Sequence, residues 1–154
     1  MRIGVIVEFF VLFLLVACKV EVPRDEYVAY YEKECATEVV RSGIHVRAIP
    51  LSPDYEKVKW GNPLDSGMRV VLGFFPRSDL SFDEAFLVKG NDTLNVVLKN
   101  KTQTFELGSA DMFVLGFAES VQNSRLYLKN VGRGIGGVEI KLKDCSNIRV
   151  EESR

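Results

Sequence analysis

Histidine is almost missing from this chain of 154 residues, and His45 is its only example. A metal centre built on several histidines is therefore excluded. An excess of basic charge is missing too. Against 20 Lys and Arg stand 21 Asp and Glu, so the formal net charge is -1 and nothing in the balance calls for nucleic acid as a partner. No stretch reaches the ~20 apolar residues that a helix needs to cross the hydrocarbon of a bilayer. The unbroken run from Phe9 to Ala17 is much shorter, with Glu8 before it and Lys19 after it. Internal repeats and low-complexity tracts are also absent, so repeat architectures are set aside. Carboxylates are plentiful but lack the alternate spacing and bidentate Glu of a calcium loop. Asp79, Asp83 and Glu84, in the loop expected after Phe75, read as solvated surface.

What is present begins with the segment MRIGVIVEFFVLFLLVACKV, where Arg2 precedes the apolar run. That is the charged start and apolar middle of a secretory signal. A buried core helix would show polar residues at a 3.6 period, and Phe9 to Ala17 shows none. The run closes on Leu15-Val16-Ala17-Cys18, which resembles the lipobox of bacterial lipoproteins. The resemblance covers residues 1–18 alone. It implies that Cys18 receives a diacylglyceryl group on sulfur and that a dedicated peptidase cuts after Ala17. Cysteine suits this role because its thiolate is a strong nucleophile, able to form a thioether with the lipid carbon. Each buried methylene contributes about 0.8 kcal/mol, so two or three acyl chains hold a protein durably without a spanning helix. The expected partner at this end is therefore a membrane, reached through the lipid. Lys19 lacks the acidic character that retains enteric lipoproteins at the inner membrane, which favours the outer membrane.

The expected organisation is a signal peptide at 1–17, the lipidated cysteine and a polar tether at 18–25, and one exported domain at 26–154. Without residues 1–17, about 137 residues remain, a common size for a single domain with a real core. The chain has three cysteines, and in an oxidising compartment one of them must stay unpaired or be modified. Lipidation of Cys18 would leave Cys35 and Cys145 either as an internal disulfide or as two buried thiols.

Along the exported part, Pro23 and Asp25 read as a helix start and Gly43 as its stop. Between them Val28, Tyr31, Cys35 and Val39 recur at spacings of three and four, on one helical face. From Gly43 onward the period becomes two. Val138, Ile140 and Leu142 alternate with charged neighbours, as do Leu94, Val96 and Leu98 with polar ones. Similar runs occur at 44–49, 68–75, 103–107, 124–131 and 148–150. The stretch 112–118 is apolar on both faces, as a central strand covered on both sides would be. Turn residues at 90–92, 100–101, 108–109, 122–124 and 132–137 separate these runs. Residues 50–67, with Pro53, Pro63 and the only tryptophan, Trp60, read as a long loop holding a short strand. The fold class expected is mostly β, an antiparallel sandwich or barrel of the Ig-like type with seven to nine short strands and a short N-terminal helix.

Chemistry-bearing constellations are few. Gly132-Arg133-Gly134-Ile135-Gly136-Gly137 contains the dinucleotide-binding spacing, but a strand follows where the mechanism needs a helix, so a hairpin turn is expected and no cofactor. His45 shares a strand side with Arg47, opposite Ile44 and Val46, which places it on a solvated face. It could pair with Cys35 or Cys145 only if those thiols were free. The Asn-X-Thr triplets at 91–93 and 100–102 read as turns. Tyr55, Trp60, Phe74 and Phe75 gather in or near residues 50–67, where such aromatics either cover the end of a sandwich or form a patch that stacks on sugars or anchors a protein. No catalytic residue, cofactor site or metal site is assigned. The function expected is a lipid-anchored, non-catalytic module of the cell envelope that binds a protein or glycan. A small hydrolase using carboxylates or a Cys-His pair is the alternative.

Overall fold

The computed structural model describes residues 18–63, 67–102 and 110–152. The predicted signal at 1–17, the strand at 103–107 and the turn at 108–109 lie outside them. The described chain is mostly β, with eleven strands and two helices arranged as an open sandwich, not a closed barrel.

Strands β2 (Thr37–Arg41), β3 (Ile44–Pro50), β4 (Met68–Phe75), β8 (Asp111–Phe117) and β7 (Leu98–Thr102) form one antiparallel sheet in the order β2-β3-β4-β8-β7. Strands β10 (Gly136–Lys141), β9 (Arg125–Val131), β5 (Glu84–Lys89) and β6 (Asp92–Asn95) form the second, in the order β10-β9-β5-β6. Alternation decides which side chains meet between them, because successive residues of a strand point to opposite faces. Val46, Ala48, Val70, Leu72, Phe74, Phe113 and Leu115 from the first sheet pack on Leu87, Leu126, Leu128, Val138 and Ile140 from the second.

The helical layer lies on the other face of the five-stranded sheet. Helix α1 (Arg24–Cys35) carries Asp25 and Glu26 in its first turn, where the helix dipole favours negative charge. Its buried face is Tyr27, Tyr31 and Cys35, which shares Tyr31 and Cys35 with the expected stripe; Tyr27 is buried in place of Val28, and Val39 lies beyond the helix on β2. The helix stops at Cys35 and not near Gly43. The β-branched residues of Thr37-Glu38-Val39-Val40 instead pair with β3, and Ser42 and Gly43, both at positive φ, make the two-residue turn of a hairpin. Gly43 therefore punctuates a hairpin.

Residues 50–67 hold a helix rather than the expected loop with a strand. Helix α2 (Pro53–Trp60) starts at Ser52, whose hydroxyl accepts from the Tyr55 N–H at 3.1 Å, has Pro53 in its first turn, and ends at Gly61 with φ 87°. The expected tether also proves to be folded. Strand β1 (Val20–Val22) pairs in parallel with β11 (Ile148–Val150), Val22 is buried, and α1 begins at Arg24, so among the described residues Cys18 and Lys19 alone precede the first strand.

Cys35 and Cys145 are joined in a disulfide with a Cα–Cα distance of 6.1 Å, tying the end of α1 to the segment before β11. Around it, Tyr27, Tyr31, Tyr55, Leu51 and Ile148 make a second hydrophobic cluster. The Tyr31 hydroxyl donates to the Pro50 carbonyl at 2.8 Å, which satisfies a polar group that would otherwise be costly to bury.

The run from Leu94 to Leu98, read as one strand, is broken where the chain crosses between sheets. Leu94 lies on β6, Leu98 on β7, and the Val97 N–H bonds to the Gly116 carbonyl at 2.9 Å. Asn100 and Lys101, expected in a turn, sit within β7. Its lysines face the sandwich interior at the open edge: Lys99 donates to the Phe82 carbonyl at 2.7 Å, and Lys101 lies 3.3 Å from the buried Asp111 carboxylate. Inward lysines of this kind discourage a foreign strand from pairing with the edge. The glycines of 132–135 form the β9–β10 hairpin connection, with Gly134 at φ 73°, as expected for a turn.

Candidate functional site

Pairing register lays out the outer face of the five-stranded sheet in rows. One row reads Ile49, Val71, Val114, Asn100, and the next Arg47, Gly73, Met112, Thr102. The helical layer covers the Ile49 end and leaves the remainder open. The result is a groove of 810 Å3 with a floor of Val71, Val114, Met112, Phe75 and Leu98 and a wall of Glu32 from α1 with Tyr55, Lys59 and Trp60 from α2. Gly73 shapes the floor. A Cβ at that position would sit 2.8 Å from the Phe75 ring and 2.9 Å from the Met112 sulfur, so its absence lets both side chains lie across the sheet.

The wall is a charged network. Glu32 accepts from the Tyr55 hydroxyl and from Lys59, the latter at 2.6 Å, while Arg47 donates to the Glu32 main-chain carbonyl at 3.0 Å. Burial alone would raise the Glu32 pKa, but the bonds from Lys59 and Tyr55 outweigh it and hold the carboxyl below its ordinary value. Burial pushes the Tyr31 hydroxyl up to about 12. Burial and the adjacent Glu32 carboxylate push Tyr55 up as well, so both phenols remain neutral donors. Farther along the wall, Arg69 pairs with Glu56 at 3.1 Å and lies 5.7 Å from the Trp60 ring. Trp60 packs edge-on against Tyr55 at 6.0 Å yet remains 46% exposed, so an aromatic face is presented to the groove.

Of the four aromatics singled out from the sequence, Tyr55, Trp60 and Phe75 line this groove. Phe74 does not. It is fully buried between the sheets against Phe82 and Phe113, because adjacent residues on a strand face opposite ways. His45 is exposed and paired with Glu38. Cys35 and Cys145 have no free thiol while bonded to each other, and Cys18 is free and exposed. The three acids after Phe75 do not converge: Asp83 accepts from Asn130 at 2.7 Å, Glu84 pairs with Lys129 at 2.7 Å, and Asp79 is near Arg77 at 3.8 Å. Among the described residues, no three His, Cys, Asp or Glu side chains gather where a metal could be held. No helix there is long and apolar enough to cross a membrane.

The floor residues were visible as chemistry but not as a site. Strand β8 is apolar on both faces, which suggested full coverage; in the structure its inner face is covered and Met112 and Val114 are half-buried in the open groove. A second feature without a sequence signal is the stacked pair Phe86 and Tyr127, 5.3 Å apart on the outer face of the other sheet. They are direct cross-strand neighbours between charged residues, an arrangement that stabilises a sheet by itself. Comparison with protein-family models, with curated proteins and with solved structures returns no match for this chain.

Proposed function

We propose that this protein is a lipid-anchored, non-catalytic module of the bacterial cell envelope, held by Cys18, and that the groove on the five-stranded sheet receives its ligand. The observation that carries the binding half is an apolar floor left open beside an exposed aromatic and three cations, in a volume of 810 Å3 that matches ordinary ligand sites. The lipobox resemblance carries the anchoring half. With β1 starting at Val20, a lipid on Cys18 holds the domain directly at the membrane surface. The Cys35–Cys145 disulfide is consistent with an oxidising compartment.

Hydrolysis is favoured less for a chemical reason. A Cys-His nucleophile needs a thiol, and both sulfurs of the domain core are bonded. In the groove, the Glu32 carboxylate is bonded to Lys59 and to the Tyr55 hydroxyl and is held below its ordinary pKa, the opposite of what a general acid needs.

Trp60 is the sole tryptophan of the chain, so emission excited at the red edge, where tyrosine does not absorb, reports on the groove wall. Titration with envelope lipids, peptides and glycan fragments is expected to shift its emission saturably for one class, without turnover. Product formation from any of them sinks the non-catalytic reading. Mass spectrometry of the native protein is expected to find Cys18 acylated at the head of the chain. An unmodified Cys18 with residues 1–17 still attached sinks the anchor.

A further inference from the structure

We infer that the groove takes a single acyl chain ending in an anionic group, with the chain along the floor and the head at Arg47 and Lys59. The inference rests on the groove being the ligand site and names the ligand's chemistry. Three features of the floor and wall carry it.

First, the floor offers nothing to a polar ligand. Strands β3, β4 and β8 each have a hydrogen-bonded neighbour on both sides, so their main-chain groups are engaged in ladders. Val71, Val114, Met112, Phe75 and Leu98 bring no donor or acceptor beyond a thioether. A peptide or glycan laid there would leave water for a surface that cannot replace its hydrogen bonds, a loss of the kind that buried polar groups suffer. A hydrocarbon chain has no such bonds to lose and gains by leaving water.

Second, the polar groups are segregated. Apart from Asn100 and Thr102 on the β7 side, they are Glu32, Tyr55 and Lys59 on the helices and the sheet residues Arg47 and Arg69, each bonded to a helix residue, so they gather at the helical side, which suits a ligand with one polar end.

Third, the wall has a cationic surplus. Arg47, Lys59 and Arg69 face Glu32 and Glu56, and Arg69 is committed to Glu56. Glu32 is shared between Lys59 and the Tyr55 hydroxyl. Among the described residues the Arg47 guanidinium has the neutral Glu32 carbonyl as its hydrogen-bond acceptor; it acts on the Glu32 carboxylate only through space, and Glu38, opposite it on β2, is paired with His45. A carboxylate or phosphate at that end would complete its pairing, and guanidinium is the side chain best matched to such a group.

The test uses the full chain in phosphatidylcholine nanodiscs, with Trp60 emission as readout and laurate, dodecanol, a water-soluble apolar peptide and a cell-wall glycan fragment as probes. Laurate is expected to give a saturable blue shift, with dodecanol at least roughly tenfold weaker. Arg47→Gln should weaken laurate by roughly tenfold and leave dodecanol unchanged. Val114→Glu, which puts a carboxylate on the floor, should abolish the laurate response. Should Val114→Glu fail to fold, the split between laurate and dodecanol in Arg47→Gln decides. Equal responses to laurate and dodecanol in the unaltered chain, or a shift that survives Val114→Glu, reduce the effect to bilayer partitioning and overturn the inference. Silence with laurate but saturable binding of peptide or glycan overturns it and leaves the groove as the ligand site. Silence with every probe removes both.

Discussion

Removal of the disulfide is the most demanding perturbation of this fold. The bond joins residues 110 apart in sequence, and confining the unfolded chain to a ring of that length contributes about 5 kcal/mol at 25 °C in the chain-entropy treatment. Measured bridges usually deliver less, so we expect Cys35→Ala/Cys145→Ala to lose about 3 to 5 kcal/mol, or roughly 10 to 17 °C in melting temperature for a chain of this size. Domains commonly have only about 5 to 15 kcal/mol in total, so the loss is a large share. Its location adds a second expectation. The bridge ties α1 to the segment before β11, inside the cluster that holds Tyr27, Tyr31 and Tyr55, while the sandwich has its own core. Urea unfolding should therefore be followed both by far-UV circular dichroism, dominated by the sheets, and by Trp60 emission, which reports the helical layer. In the double variant the Trp60 transition should come at lower urea than the sheet transition. An unchanged midpoint and slope would refute the entropy argument, and coincident transitions would refute the separate helical layer.

Asp111 gives a pH-dependent test. Burial would raise its pKa, but the N–H groups of Ser78 and Leu80, at 2.9 and 3.1 Å, and Lys101 prevail and hold it low. A carboxyl lowered by folding stabilises above its ordinary value near 4, and the contribution is lost as pH falls through the lowered pKa. Melting temperature should thus drop on acidification below about pH 4, less steeply in Asp111→Asn, and Asp111→Ala should cost about 3 kcal/mol at neutral pH by orphaning two N–H groups. A melting temperature indifferent to both changes removes that role. Gly67 at φ 77° has no room for a side chain, since a Cβ would lie 2.2 Å from the Phe117 carbonyl oxygen. Gly67→Ala should destabilise by more than about 2 kcal/mol, whereas Gly43→Ala, in open space at φ 76°, should cost only about 1 kcal/mol in chemical denaturation.

Much of the fold was legible because period-2 alternation and turn residues are local signals. Strands β4 and β11 begin and end where the pattern said, and the hairpin at 132–135 lies where the glycines are. Helix α2 carries its own local signals: Ser52-Pro53-Asp54 is a helix start, Lys57 and Lys59 fall in the last turn, and Gly61 is a helix stop, although Pro53 and Pro63 are equally loop residues. The end of α1 was harder. Val39 continues the helical spacing from Cys35 by chance, and only pairing with β3 reveals Thr37–Arg41 as a strand. For the candidate site, Tyr55, Trp60 and Phe75 were found, while Val71, Met112, Val114 and Arg47 were not, because their neighbours across the sheet are distant in sequence.

Composition and periodicity by themselves determined the mostly β class, the early helix and the two cysteines available for a bridge. Those properties depend on each residue and its near neighbours. The tertiary structure alone decided that β1 folds back onto β11, that Phe74 is core while Phe75 is surface, and that one sheet keeps an open apolar face beside three cations. Such facts depend on register between strands far apart along the chain, where a shift of one residue would exchange the two faces.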